Sequence, residues 1–172
     1  ARAGKAVYVE KPMALNYAAC LEIIDECEKN SVPLYVAYYR RALPRFVKIK
    51  SLLEEGAIGD VRAVNIKYSA IPSASDINGE YNWRVDPAVA GAGYFFDLGS
   101  HMVDLLQYYF GKLNIVNGHA ENKGGYYSAE DTVSSSFKFE NGIEGTGRWC
   151  FCANENIDTT EIIGSKGMII FS

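Results

Sequence analysis

The sequence predicts an α+β fold: an open, largely antiparallel sheet with helices packed on one face. Two observations point there. Amphipathic segments with helical spacing occupy the earlier part of the chain, and consecutive period-two runs fill the last third. A third, the short apolar run Ala6 to Glu10, has the character of a buried parallel strand standing apart from those runs.

Lys11-Pro12 breaks that first strand, because proline cannot donate to a ladder. Asn16 is placed to cap a helix reaching about Lys29, with Cys20, Ile23, Ile24 and Cys27 at i, i+3, i+4 and i+7. Val32 to Tyr39 reads as a strand. Pro44 to Glu55 reads as a second amphipathic helix, with Phe46, Ile49, Leu52 and Leu53 inward and Gly56 as its stop. Val61 to Ala70 alternates and predicts a strand. Ile71 to Ala90 reads as a long loop bearing Tyr81, Trp83 and Arg84, and loops of that length are often functional. A third helix is expected from about Gly93 to Phe110, stopped by Gly111.

Strands follow at about Ile115 to Glu121, Thr132 to Glu140, Ile143 to Ala153, Asp158 to Ile163 and Met168 to Phe171. Asn141-Gly142 signals a type I′ hairpin, and Gly164 to Gly167 a second tight turn.

The 172 residues suit one domain, or one domain plus a remnant of another. With 48% hydrophobic and 22% charged residues the composition is that of a globular protein. A net charge of -4 with no basic block argues against a nucleic-acid surface. No apolar run reaches the roughly 18 residues a membrane span needs. The cluster Arg40, Arg41, Arg45, Lys48 and Lys50 reads as a strand cap and a solvated helix face. Cys20, Cys27, Cys150 and Cys152 have neither zinc spacing nor the density of a disulfide scaffold, so they read as small buried hydrophobes in a reducing, cytoplasmic setting. The first residues carry no signal-peptide pattern, and without an initiator methionine the chain reads as a piece of something longer.

The chemistry concentrates in Gly91 to Asp104, GAGYFFDLGSHMVD. If this opens a helix, Asp97 and His101 stand one turn apart on one face, where a carboxylate fixes an imidazole's tautomer and raises its basicity. The plainer alternative is a helix start with an acid in its first turn and an ordinary histidine. Asp104, a turn further on, offers a metal constellation with Asp97, although the ligand count is short. Glu10-Lys11-Pro12 places Lys11 at the C-terminal end of a strand, the edge where open α/β sheets bind ligands; the alternative is a surface lysine before a turn. His119 on a late strand reads as structural.

The order and spacing of these motifs is more specific than any one of them. E-K-P, then Tyr38-Tyr39-Arg40-Arg41, then Leu52-Leu53-Glu54-Glu55-Gly56-Ala57-Ile58-Gly59, then Asn82-Trp83-Arg84 ahead of Gly91-Ala92-Gly93 and Asp97-Leu98-Gly99-Ser100-His101-Met102-Val103-Asp104 resembles the Gfo/Idh/MocA family of NAD(P)-dependent oxidoreductases along essentially the whole chain.

The resemblance implies that residues 1–15 are the last strand and linker of an otherwise absent Rossmann domain. Residues 16–172 would then be the family's substrate-binding and oligomerisation domain, short of its final strands. It implies a cofactor, NAD or NADP, whose glycine-rich motif lies outside this chain. By position, Lys11, Asp97 and His101 are the catalytic set, with Lys11 at the substrate hydroxyl, His101 taking its proton and Asp97 orienting His101. Glu10, Lys11, Trp83 and Arg84 match cofactor-contacting positions, and the Lys11-Pro12 proline is often cis in relatives. Tyr38, Arg41 and Tyr94 are candidates for the substrate pocket. No metal is required. Gly91-Ala92-Gly93 departs from the family's three glycines by one methyl group.

The implied function is hydride transfer between nicotinamide and a sugar, polyol or related carbohydrate. The alternatives are an NAD-dependent glycosidase of the same family and a non-catalytic sugar-sensing module. The resemblance also implies a homo-oligomer through the sheet's open face, which would be apolar. Val133, Phe137, Phe139 and Trp149 are candidates for the sheet's buried faces.

Overall fold

The computed structural model describes residues 1–172. Strand β1 (Val7–Val9) pairs in parallel with β2 (Leu34–Val36) as a separate two-stranded sheet, with helix α1 (Tyr17–Lys29) crossing between them. Asn16 caps α1 as its residue type predicts, its side chain accepting from the Ala19 amide at 2.9 Å. Strand β2 stops short of Tyr39. Its partner β1 is only three residues long, and Tyr38 leaves the extended region (φ -79°, ψ 62°) to enter a 3-10 turn, Tyr39–Ala42. Helix α2 (Pro44–Glu54) begins with proline at its first turn and is stopped at Gly56, whose φ is +67°.

After β3 (Val61–Ser69), the stretch expected as one long loop is instead three capped turns: α3 (Ala74–Ile77), a 3-10 turn (Trp83–Val85) and α4 (Pro87–Ala90). Side-chain oxygens of Ser73, Asn82 and Asp86 each accept from an amide two or three residues on. The third helix also departs from a uniform α-helix. Phe95–Gly99 is a π turn, and α5 (Ser100–Phe110) continues from it.

The remaining strands are β4 (Leu113–Glu121), β5 (Thr132–Phe139), β6 (Glu144–Cys150), β7 (Ile157–Gly164) and β8 (Met168–Phe171). Together with β3 they form a six-stranded sheet in the order β4-β5-β6-β3-β7-β8, parallel at β3–β6 and antiparallel elsewhere. The β5–β6 turn is not type I′, because Asn141 keeps a negative φ. Gly142 alone is left-handed (φ +90°), and its amide reaches the Phe139 carbonyl at 3.0 Å, the pattern of a three-residue loop with a glycine bulge.

Helices α2 and α5 cover one face of this sheet. Phe46 and Ile49 from α2 and Met102, Leu105, Leu106 and Phe110 from α5 meet Val64, Ile66, Val133, Phe137, Phe139, Trp149 and Ile162. Val133, Phe137, Phe139 and Trp149 therefore all point into this core, and none faces outward. Trp149 is 1% exposed and its indole N–H points at the Met102 sulfur, 3.1 Å away, which ties α5 to the sheet beside His101. Glycines make room for the rings: a Cβ at Gly147 would stand 2.1 Å from the Trp149 indole, and one at Gly145 2.4 Å from the Phe137 ring.

The opposite face is mixed rather than uniformly apolar: polar residues of β3, β5 and β6 lie beside Ala63 and Ile115, and Met168 and Ile170 of β8 are exposed. Thr146 donates to Asn65 at 3.1 Å and Lys138 pairs with Glu144 at 2.7 Å on that face. Of the cysteines only Cys27 is buried. Cys20, Cys150 and Cys152 are half-buried, because α1 packs against a two-stranded sheet and β6 runs out at Cys150.

Candidate active site

Lys11 stands two residues beyond the end of β1, and its peptide bond to Pro12 is cis. Its ammonium crosses from the small sheet to the π turn, where it donates to the Asp97 carbonyl at 2.8 Å and pairs with the Asp97 carboxylate. Arg84 approaches the same carboxylate from the 3-10 turn, 3.7 Å away, and its guanidinium lies over the Trp83 ring at 4.5 Å. These groups line a cleft of about 280 Å³, walled by Pro12, Leu15, Val89 and Phe96. Its mixture of apolar wall and charge at one end is that of a small-molecule site.

The carboxylate does not orient His101 as the i, i+4 spacing predicted. Bonding from i to i+5 puts an extra residue into the turn, so Asp97 swings toward Lys11 instead. Two glycines permit that turn. A Cβ at Gly99 would meet the Phe95 ring at 2.6 Å, and one at Gly93 would meet the Glu130 carbonyl at 2.6 Å. The Glu130 carboxylate accepts from the Gly93 amide at 3.0 Å through both oxygens and pins the start of the segment. Gly91 is left-handed (φ +88°), whereas Ala92 is not, which is why the extra methyl there is accommodated.

His101 is 3% exposed, and its buried Nδ1 has no hydrogen-bond partner. Burial pushes the imidazole down to about 4, with the Lys11 and Arg40 charges acting the same way and Asp97 and Asp104 opposing. The ring is therefore neutral at pH 7, with a free lone pair and no protein donor competing for it.

The other predicted residues separate into two groups. Tyr38 packs its ring edge against His101, the centroids 5.9 Å apart. Arg41 is committed to Asp104, its Nε donating to Oδ2 at 2.8 Å, which also removes Asp104 from any metal constellation. Tyr94 points elsewhere: its hydroxyl donates to Asp76 at 2.8 Å and accepts from Asn82 at 2.7 Å, beside a separate cavity of about 120 Å³ lined by Tyr68, Leu98 and Phe151. Glu10 is exposed and makes no ion pair or side-chain hydrogen bond. His119 lies on exposed β4 against Glu121 at 2.5 Å, far in sequence from these groups. Sequence reasoning missed Tyr39, whose ring meets His101 edge-on at 5.2 Å, and gave Asp104 the wrong partner. The available signal was that Arg41 and Asp104 each close a segment already singled out.

The arrangement is thus a strand-tip lysine held by a carboxylate near a buried, neutral imidazole. Comparison with known proteins assigns its class. Residues 46–170 match the GFO/IDH/MocA C-terminal domain, and residues 1–38 match the oxidoreductase family with an NAD-binding Rossmann fold. The chain belongs to the Gfo/Idh/MocA family of NAD-binding oxidoreductases. It is 39% identical over 171 residues to an oxidoreductase of Formosa agariphila, covering 98% of this chain and 52% of that one. It is 31% identical to the trans-1,2-dihydrobenzene-1,2-diol dehydrogenase of Mus musculus, covering 96% and 47%. The structure of a levoglucosan dehydrogenase in complex with NADH and levoglucosan superposes with a TM-score of 0.87 at 28% identity, covering 99% of this chain and 48% of that one. The chain thus spans about half the length of the relatives it matches.

Proposed function

We propose that the full-length protein is an NAD(P)-dependent dehydrogenase of a sugar, polyol or related carbohydrate, and that this chain supplies its proton-handling groups. The observation that carries this reading is the Lys11–Asp97 pair set beside a buried His101 whose Nδ1 lacks a partner. A relative named levoglucosan dehydrogenase, 28% identical over the whole of this chain, supports a carbohydrate substrate.

The cleft fits the nicotinamide end of the cofactor: it is flat-walled by Phe96 and Trp83 and carries two cations, Lys11 and Arg84, while no glycine-rich phosphate turn belongs to this chain. When bound, the cofactor supplies the carbon that takes or gives the hydride. Lys11, fixed by Asp97 through two acceptors, donates a hydrogen bond to the substrate oxygen and stabilises it as its proton leaves. His101, neutral at pH 7, takes that proton. Trp83 and Phe96 exclude water from the cleft's apolar side. Asp97 thus acts as the positioning residue for Lys11. We also infer that the full-length protein self-associates through the open sheet face, where Asn65, Asn117 and Thr146 border a shallow hollow of about 440 Å³. Sedimentation of Asn65→Arg reports on that face, and an unchanged mass would reject it.

A panel of sugars and polyols assayed with the full-length protein and NAD or NADP tests the main reading. Lys11→Ala and His101→Asn should each lower kcat/KM by about 10²–10⁴-fold on the best substrate. Near-normal turnover by either variant would defeat the assignment. Glycoside cleavage without net NADH would move it to the glycosidase, and sugar binding without turnover to the sensor.

A further inference from the structure

His101 is ringed by charged and aromatic groups from three places: Lys11 from the tip of β1, Tyr38, Tyr39 and Arg40 from the entry to the 3-10 turn, and Asp97 and Asp104 from its own segment. The same 3-10 turn carries Arg41. Its guanidinium forks onto Asp104, Nε to Oδ2 at 2.8 Å and Nη2 to Oδ1 at 2.5 Å, and lies 5.5 Å from the centre of the Tyr108 ring. Asp104 is 5% exposed and stands three residues beyond His101 on α5, so the two share a helix face. A planar fork on a carboxylate fixes orientation as well as distance. Fastening Arg41 to this face therefore fastens the residues just before it, whose rings meet the imidazole edge-on at 5.9 and 5.2 Å.

We propose that the Arg41–Asp104 pair is a positioning lock: it holds Tyr38 and Tyr39 against the His101 ring, keeping water off that side and fixing the ring's aim. This rests on His101 being the base. Neither Arg41 nor Asp104 touches substrate. A pair present only for stability would need no particular neighbour, since buried ion pairs are often replaceable by apolar residues. Here the pair sits one helical turn from an unpartnered imidazole that burial holds down to about 4, and the turn it anchors supplies two of the rings packed on that imidazole. Tyr38 shares the dry pocket, its phenol raised by burial and by the Asp104 charge.

The test is an NMR titration of the His101 ring in the full-length protein, with the signal assigned by its loss in His101→Asn. The double variant Arg41→Gln/Asp104→Asn removes the Asp104 charge, whose loss by itself lowers the ring's midpoint, so a rise reports water reaching the ring and not the lost charge. The lock predicts that the ring's midpoint rises by about one unit or more toward the ordinary histidine value as water reaches it. Tyr39→Ala, at a side chain more than half exposed, removes the cover without touching the pair and should shift it the same way. Arg41→Lys keeps the charge but not the fork and should fall between. The acid limb of kcat/KM should follow the NMR midpoint in each case. If the double variant unfolds, Tyr39→Ala decides alone. A midpoint unmoved in the folded variants overturns the lock. Retained turnover in His101→Asn would instead reject the base, and the midpoint remains the measure of the lock.

Discussion

Two ion pairs flank His101, and they differ in what water can do to them. Lys11–Asp97 lies at the wall of an open cleft, with side chains 14% and 27% exposed and a second cation, Arg84, within 3.7 Å. Arg41–Asp104 is closed at its acidic end, where the carboxylate side chain is 6% exposed and both oxygens are taken by one guanidinium. The first pair has capacity left for a ligand and the second has none. Residue type alone does not separate them: each joins a cation from outside the α5 segment to an aspartate within three or four residues of one histidine.

The largest way to break this contrast is Asp97→Asn. It leaves Lys11 without its anion, and kcat should fall by about 10²–10³-fold, as for loss of a preorganised donor, while thermal stability barely moves. Activity surviving that change would place both pairs in the same structural class. Arg41→Met should do the reverse and cost about 3–5 kcal/mol in denaturant unfolding, because it strands the Asp104 charge in the interior. Asp104→Asn should cost clearly less, since Arg41, whose side chain is 45% exposed, swings out to water. Equal costs for the two changes would contradict the asymmetry.

The histidine between them supplies a pH test. Its folded value is depressed to about 4, so it contributes nothing to pH dependence above its unfolded value of 6.5. Between those values the unfolded chain takes up a proton that the folded chain refuses, and stability falls with falling pH by up to about 3 kcal/mol. Unfolding free energies of wild type and His101→Gln, compared at pH 7 and pH 4.5, isolate that contribution; parallel curves would refute it. Away from the site, Gly147→Ala should cost about 1–3 kcal/mol by pressing a methyl group onto the buried Trp149 indole. Smallest of all, Lys138→Gln on the open face should change stability by less than about 1 kcal/mol, because its partner Glu144 is solvated.

Much of this was legible in the chain. Periodicity located α1, α2 and α5 and the alternating strands, because burial of one face dictates both patterns. The E-K-P tip and the Asp97/His101 spacing pointed to residues the structure brings together, Lys11 pairing with Asp97. The π turn was not legible: i→i+5 bonding leaves the apolar pattern of Phe95, Leu98 and Met102 intact while turning Asp97 away from His101. The choice of Arg41 for Asp104, and the tie from Glu130 to the Gly93 amide, depend on contacts across 63 and 37 positions that no local spacing encodes. Ser73, Asn82 and Asp86 did carry the sign of three short turns, but proline and glycine among polar residues suggested loop more strongly.

The ammonium of Lys11 stands beyond the tip of the small sheet and the carboxylate it grips in the π turn leading into α5, with 85 positions between them in the chain. Any tilt of the small parallel ribbon against the six-stranded slab pulls on that junction before it disturbs either hydrophobic interior. The junction therefore works as a strain gauge: conditions that rock the two bodies apart should switch off chemistry well before they melt the protein.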